Sequence, residues 1–300
     1  MPVGRGTSDL ESTLHVAALN LALLLGAAAA HADTVTIGAA NSNTLYEDLS
    51  GGVSGGASPW FFAGEANNFS LRRGLLQFDL AAANLPAGAT ITGATLTLYL
   101  SRTSAGAAEV SIHQALGAWG SAGSLPPGEG GTGGAAEPGD ATWLQRFYSL
   151  DSTANLWNSP GGDFAPDALA TTVVASNGFY TWSGAALAAD VQRWATDPSQ
   201  NFGWVFLGDE GGPMTAKRFD SPLNSTLAHR PSLQITYSVP APHVMAALGC
   251  LGVLGSRRRR PLGSTSSQKL IFTSAEHVES LLPHVSAGIS DLNPAFKGGA

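Results

Sequence analysis

The strongest constraint on the fold of this chain is a strict alternation of apolar and polar residues in short segments between residues 33 and 238. The clearest example is residues 94–100 (ATLTLYL), in which every second residue is apolar. Residues 110–112 and 233–237 repeat the pattern. Successive side chains of a β-strand point to opposite faces, so the pattern predicts strands with one buried and one solvent-facing side. Residues 203–207 are apolar on both faces, which predicts a central strand.

Only one segment in this region has helical periodicity. In residues 185–196, Leu187, Val191 and Trp194 lie at i, i+4 and i+7, and Asp197-Pro198 would end the helix. About nine or ten short strands with a single helix, and no regular succession of strands and helices, indicate antiparallel rather than parallel sheets. The sequence therefore predicts an all-β fold, a jelly-roll-like antiparallel β-sandwich with one short helix.

The N-terminal segment is typical of a secretion signal. Residues 14–30 form an uncharged apolar run that leads into Ala30-His31-Ala32. Small residues at Ala30 and Ala32 suit signal peptidase, which predicts a signal peptide over residues 1–32 with cleavage before Asp33. A buried core helix is the alternative interpretation. The sandwich is then expected to occupy residues 33–238, outside the cytoplasm.

The C-terminal segment has a different composition. An extended Pro-x-Pro stretch is followed by an uncharged apolar run at residues 244–255 and then by four arginines. The run is shorter than the roughly 20 residues that cross a bilayer untilted, and an arginine block holds its end at the cytoplasmic face. An amphipathic surface segment is the alternative. We interpret residues 239–260 as a sorting or anchoring signal and residues 261–300 as a disordered extension. The residues that define the signal are Pro240, Pro242, Arg257, Arg258, Arg259 and Arg260.

The longest loop expected within the sandwich runs over residues 120–141. It is rich in glycine, lacks periodicity and contains Glu129, Glu137 and Asp140. Loops of this length in a compact domain are usually either functional or disordered. We expect disorder here.

Composition excludes several classes of function. Residues 33–238 contain 17 acidic and eight basic residues, so this region will not attract nucleic acid. The single Cys250 cannot form an internal disulfide, and no cysteine or histidine cluster has zinc-ligand spacing. No catalytic motif is present. His113 and His229 are interpreted as strand or surface residues rather than as bases.

Several stretches of residues 33–238, in order, resemble the DNRLRE-domain proteins, whose fold is grouped with the family 96 carbohydrate-binding modules. They are residues 43–47 (NTLYE), 73–80 (RGLLQFDL), 85–91 (LPAGATI), 140–148 (DATWLQRFY), 160–164 (PGGDF), 190–192 (DVQ), 201–204 (NFGW), 216–221 (AKRFDS) and 230–237. The C-terminal segment resembles a PEP-CTERM sorting signal, which implies an exosortase-like transpeptidase as a partner. The resemblance implies a non-catalytic module that binds extracellular polysaccharide or matrix. A polysaccharide-cleaving enzyme and a purely structural matrix protein are the alternatives.

Aromatic residues are the leading binding candidates. A tryptophan on a loop can offer a flat apolar face to a sugar ring while polar neighbours bind its hydroxyls. Trp60 and Phe61 lie in a Gly/Ser/Ala-rich stretch and Trp157 precedes Ser159-Pro160, so these three residues are predicted to contact carbohydrate.

A structural calcium ion is possible, although no cofactor is expected. Calcium binds hard oxygen ligands such as carboxylates and amide carbonyls. Asp33, Asn43 and Glu47, in and near the first strand, are the candidate ligands, and a structural role without metal is the favoured alternative.

The mature protein is expected to begin at Asp33, because signal peptidase cleaves after the small residue at the end of Ala30-His31-Ala32. N-terminal sequencing of protein recovered from the cell surface or periplasm measures this directly. Exported protein that still carries Met1 would contradict the signal-peptide interpretation.

Overall fold

The computed structural model describes residues 32–103 and 105–239, and the alternating segment at residues 94–100 lies within strand β5 (Thr90–Thr103). Leu96, Leu98 and Leu100 are fully buried, whereas the residues between them are only partly buried. The alternation read from the sequence is therefore confirmed, with the leucines on the inner side of a sheet.

Twelve strands and one α-helix occur in the described residues. The strands are β1 (Ala32–Tyr46), β2 (Val53–Ser54), β3 (Trp60–Glu65), β4 (Leu71–Phe78), β5 (Thr90–Thr103), β6 (Ala108–Ala115), β7 (Gly134–Ala135), β8 (Phe164–Val174), β9 (Gly178–Ser183), β10 (Trp204–Leu207), β11 (Lys217–Asp220) and β12 (Ser232–Ser238). The helix is α1 (Ala185–Thr196), and short 3-10 helices lie at Leu80–Ala83, Pro198–Gln200 and Leu227–His229.

Ten of the twelve strands form two antiparallel sheets that share β1 and β3, and β2 and β7 form a separate two-stranded sheet. In sheet A, β12 and β11 pair with one edge of β5 and β9 with the other, while β1 flanks β12 and β3 flanks β11. In sheet B, β4 pairs with β1, β3 and β10, and β6 joins β10 to β8. Strand β1 passes from sheet A to sheet B at an irregularity between Ala39 and Asn41. The prediction of an all-β antiparallel sandwich is confirmed.

The main core lies between the sheets and is completed by helix α1. It contains inner-facing side chains of both sheets, including Leu96 and Phe206, together with Leu187, Val191 and Trp194 of the helix. These three helical residues are those that the spacing predicted, and α1 has the predicted bounds. The helix ends because Asp197 is extended and caps the Pro198–Gln200 turn. In the described part of the chain, no helix is long and apolar enough to span a membrane.

A second hydrophobic cluster lies on part of the outer face of sheet B. Leu45, Leu75 and Val205 contribute to it from three strands. Next to Leu75 and Val205 along their strands, Leu76, Trp204 and Phe206 face the main core. Residues 116–163 fold over these side chains and supply Trp119, Trp143 and Trp157. Strand β10 is consequently buried on both faces and lies between β4 and β6, as its sequence predicted.

The expectation that residues 120–141 are disordered is wrong. This loop contains β7, which pairs with β2, and its Asp140 is fully buried. The Asp140 carboxylate accepts hydrogen bonds from the backbone N–H groups of Ala122 (2.6 Å) and Glu137 (2.9 Å). A glycine-rich segment without periodicity is thus held in place by polar contacts to its own backbone.

Lys217 is a buried cation in strand β11. It is fully buried, and its Nζ donates to Thr103 Oγ1 (2.8 Å) and to the carbonyl oxygens of Ala105 (3.3 Å) and Gly106 (2.5 Å). The ammonium group therefore holds the turn that joins β5 to β6. Burial lowers the pKa of Lys217 below the usual lysine value.

Lys217→Met should change how stability depends on pH. Because the folded-state pKa lies below the unfolded value of 10.5, the unfolded chain binds more protons in the window between the two values. The free energy of unfolding of the wild type, minus that of the variant, should therefore rise as pH increases through that window. Urea denaturation of both proteins at several alkaline pH values measures the difference. A constant difference would mean that Lys217 titrates alike in the folded and unfolded states.

Candidate functional site

Four neighbouring strands of sheet A place Trp60, Asp220, Tyr99 and Phe179 side by side on its outer face. Trp60 of β3 pairs with Asp220 of β11, and Tyr99 of β5 pairs with Phe179 of β9. The register of β11 on β5 brings Asp220 alongside Tyr99. Since neighbouring strands lie about 4.8 Å apart, the line of side chains spans roughly 14 Å.

His229 adds a fourth ring to this face. It ends the 3-10 turn between β11 and β12, and its imidazole stacks on Tyr99 with ring centres 3.6 Å apart and planes 12° apart. Phe179 meets Tyr99 edge-on at 4.9 Å and His229 at 5.8 Å. We call Trp60, Tyr99, Phe179 and His229 the aromatic row.

The aromatic row faces solvent. Phe179 is 57% exposed and the His229 side chain 29% exposed, while Trp60 and Tyr99 are half-buried. Hydrophobic side chains on the inner face of the same strands are almost completely buried. The row therefore offers apolar ring surface that the fold itself leaves open.

A buried carboxylate fixes the orientation of His229. Asp220 is 2% exposed, and its Oδ2 lies 3.0 Å from His229 Nδ1. A carboxylate can only accept, so Nδ1 is the donor and Nε2 of the neutral ring is left as an acceptor. The other oxygen, Oδ1, is buried and has no hydrogen-bond partner among the described residues. The imidazole is thus held by one oriented contact and by stacking.

Arg218 connects the aromatic row to the long loop. Its guanidinium lies 4.3 Å from the centre of the Trp60 ring, a cation–π contact, and its Nε donates to Ser101 Oγ at 3.1 Å. Glu129 of the loop pairs with Arg218 and, at 3.1 Å, with Arg102. The hydrogen bond and charge of Arg218, with a smaller contribution from Arg102, lower the pKa of Glu129. The carboxylate is therefore ionised at neutral pH.

Beside Arg218 lies a cleft of about 520 Å³. Phe62 contributes to its apolar lining, and Arg72, Arg102, Glu65 and Glu129 contribute charged groups of both signs. Arg218 lines the cleft and lies over the ring of Trp60, so the cleft adjoins the Trp60 end of the aromatic row.

The structure separates the three aromatic residues proposed from the sequence. Trp60 lies in the aromatic row, but Phe61 is fully buried and packs on Phe219 at 5.5 Å in the main core. Trp157 is 5% exposed and donates from Nε1 to the Thr142 carbonyl at 2.9 Å. The expectation that Trp157 is exposed is wrong, because residues 116–163 fold back and bury it on sheet B.

The proposed calcium ligands do not converge. Asp33 and Asn43 lie ten positions apart on strand β1, a separation of roughly 30 Å at about 3.3 Å per residue. Glu47 instead accepts the backbone N–H of Leu71 at 2.8 Å. In residues 32–103 and 105–239, no three His, Cys, Asp or Glu side chains are grouped to hold a metal ion. These three residues therefore do not share one calcium site.

Asn43 is buried, and its side-chain amide forms hydrogen bonds within the protein. Its Nδ2 donates to the carbonyls of Gly120 (3.0 Å) and Ala141 (3.3 Å), at the two ends of the long loop. Its Oδ1 accepts from Thr44 N (2.7 Å), Ser54 Oγ (3.0 Å) and Gly55 N (3.0 Å). One amide therefore fastens both ends of the loop to strand β1.

Sequence reasoning missed Tyr99, Phe179 and His229 as site residues. Tyr99 occupies the polar side of the alternation in residues 94–100, and an aromatic ring on a wet face was a usable signal. Phe179 and His229 lie far from it in the chain, and only the register of β9 and the turn before β12 bring them together.

The residues of the C-terminal signal (Pro240, Pro242 and Arg257 to Arg260) and Ala30 lie outside the described residues. Ala32 begins β1 and pairs with Ser238 in β12, so the predicted cleavage point and the start of the tail lie side by side.

No protein-family model matches the chain, and no curated protein matches it either.

Asn43→Leu should destabilise the fold strongly. The substitution leaves buried carbonyl and N–H groups without partners, at about 1–3 kcal/mol each, so we expect a loss of about 3 kcal/mol or more. Asn41→Leu is the matched control, since Asn41 is exposed and its amide donates to the Gln77 side chain at 3.0 Å. Urea denaturation measures both. Equal losses in the two variants would contradict the loop-fastening role.

Proposed function

We propose that this chain is an exported cell-surface protein whose β-sandwich binds extracellular polysaccharide, without cleaving it, on the outer face of sheet A. The observation that carries the proposal is the aromatic row, with four rings from separate elements lying on one open face. Pyranose rings present apolar C–H faces, which stack on aromatic rings, while their hydroxyls need hydrogen-bond partners nearby.

The same face supplies those polar partners. Thr95 and Thr97 of β5 lie on the outer side together with Tyr99, and the register pairs Thr95 with Gln234 of β12 and Thr97 with Thr181 of β9. Hydroxyl and amide groups therefore continue the face beyond the rings. An extended ligand that crosses the strands would meet stacking and hydrogen-bonding groups in succession.

Export and retention rest on the two terminal segments and on the resemblance to DNRLRE-domain and PEP-CTERM proteins. Because Ala32 and Ser238 are paired, a tail processed by an exosortase-like transpeptidase would hold the sandwich from the edge formed by β1 and β12. Sheet A extends from that edge to β9 at the opposite edge, where Phe179 lies. An anchor at one edge leaves the aromatic row free to meet a polymer.

Phe179→Ala and Tyr99→Ala should each weaken binding without unfolding the protein. Removal of a stacking ring at the centre of a binding surface costs on the order of 2 kcal/mol, which is roughly thirtyfold in affinity. Calorimetric titration with a panel of neutral and acidic soluble polysaccharides measures affinity, and thermal unfolding of each variant measures stability. Phe69→Ala is the control, since Phe69 is an exposed ring (68%) in the β3–β4 turn.

Three outcomes would contradict the proposal. Binding that is lost only when the melting temperature also falls would assign the rings to the core. Shortening of the polysaccharide chains during titration would favour a polysaccharide-cleaving enzyme. A wild-type protein that binds none of the polymers would favour a structural matrix protein.

A further inference from the structure

Sheet B carries a second group of reactive side chains, remote from the aromatic row. Ser111 and His113 lie two positions apart on strand β6, so they point to the same side of the sheet. Val110 and Ile112 alternate with them and are fully buried in the main core. Ser111 and His113 therefore face outward, away from that core.

These two side chains form an oriented pair. Ser111 Oγ lies 2.9 Å from His113 Nε2, and His113 Nδ1 lies 2.9 Å from the carbonyl oxygen of Ala165. A carbonyl can only accept, so Nδ1 carries the proton and Nε2 of the neutral ring accepts from the serine hydroxyl. The hydroxyl also lies 3.5 Å from the carbonyl oxygen of Leu207, and the contact with His113, at 2.9 Å, is the shorter of the two. The order hydroxyl, imidazole, acceptor is the one in which a histidine can take a proton from an attacking serine.

The contact with Ala165 belongs to an irregular part of the sheet. The pairing of β6 with β8 shifts register on both sides of His113, so β8 bulges opposite the histidine. The Nδ1 proton satisfies a carbonyl of this bulge. This contact explains the position of Nδ1 in structural terms, but it does not explain why a serine hydroxyl lies next to Nε2.

Ser111 is more exposed to solvent than His113. A nucleophile must be accessible to its substrate, whereas its general base needs only to contact the nucleophile. His113 is 6% exposed and is flanked by Phe164, whose ring meets it edge-on at 5.6 Å. Ser111 is only half-buried, and both residues line a groove of about 550 Å³. A small ligand in the groove could therefore reach the hydroxyl while the imidazole stays shielded.

The groove is acidic. Glu109, Asp209 and Glu210 line it, and Glu210 is held by Arg73 through two contacts of 2.8 and 2.9 Å. Carboxylates stabilise the imidazolium that forms when a histidine accepts a proton, and they repel anionic substrates. The site therefore suits an uncharged ester of an alcohol.

We propose that Ser111 is a nucleophile, with His113 as its general base, in a site for small uncharged acyl esters. Ser111 Oγ attacks the ester carbonyl carbon while its proton passes to His113 Nε2. The tetrahedral intermediate then expels the alcohol, which takes that proton, and leaves an acyl-serine. A water molecule attacks the acyl-serine, gives a proton to His113, and releases the carboxylic acid as the proton returns to Ser111 Oγ. The activity is independent of polysaccharide binding at the aromatic row.

A fluorophosphonate probe tests the nucleophile on the full-length chain. Attack by Ser111 Oγ expels fluoride and leaves a phosphonylated serine, which mass spectrometry of peptides locates. We expect the label on Ser111 and its loss in Ser111→Ala. Ser50→Ala is the control, since Ser50 is an exposed serine bonded to a carboxylate rather than to an imidazole. Labelling of Ser111 no faster than of Ser50 would overturn the proposal.

A thiol variant tests the base without relying on a histidine substitution that could disturb the bulge. In Ser111→Cys, His113 should accelerate alkylation by iodoacetamide by about 100-fold relative to Ser50→Cys, because the imidazole can take the proton of the thiol. Equal rates in the two variants would show that His113 has only its structural contact with Ala165. Polysaccharide titration of the same variants should be unchanged, which separates this site from the aromatic row.

Discussion

The pairing of strand β5 along both of its edges holds sheet A together. β12 and β11 pair with one edge, end to end, and β9 pairs with the other. The register that buries Leu98 and Leu100 in the main core also fixes Tyr99 on the outer face, because side chains alternate. A slip of one residue would bury Tyr99 and expose the leucines, so the core and the aromatic row depend on the same register.

The two sheets differ in what covers their outer faces. Residues 116–163 cover part of the outer face of sheet B and contribute to the second hydrophobic cluster, whereas the rings on the outer face of sheet A remain partly exposed. Asn43 supports this difference, since its amide fastens both ends of the long loop to β1. Glu129 of the same loop pairs with Arg218, so the loop also contributes a residue to the outer face of sheet A.

The sequence was sufficient to predict elements whose burial repeats at a regular spacing, such as β5 and α1. It could not predict that residues 120–141 adopt an ordered conformation. The side chains of Asn43 and Asp140 hold this loop through hydrogen bonds to backbone groups, and such contacts leave no periodic pattern in the sequence. Trp157 was wrongly expected to be exposed for a related reason. Only β10 is apolar on both sides in the sequence, so the sequence did not indicate that a loop would pack on the outer face of sheet B and bury Trp157. Trp60 was identified from the Gly/Ser/Ala-rich sequence around it. The other residues of the aromatic row come together only through the pairing of distant strands, which the sequence of one segment does not predict.

The use of the arginines bears on which ligand the open face can hold. Arg72, Arg73 and Arg218 each lie over an aromatic ring, at 4.9 Å from Tyr46, 5.1 Å from Trp143 and 4.3 Å from Trp60. Each also donates to protein oxygens: Arg72 to carbonyls, Arg73 and Arg218 to carboxylates. Guanidinium groups already engaged in this way hold rings and loops in place, and they offer little free positive charge to a polyanion. If the sandwich binds a polymer on the aromatic row, as we propose, its acidic surface would therefore favour a neutral, hydroxyl-bearing polymer over a negatively charged one.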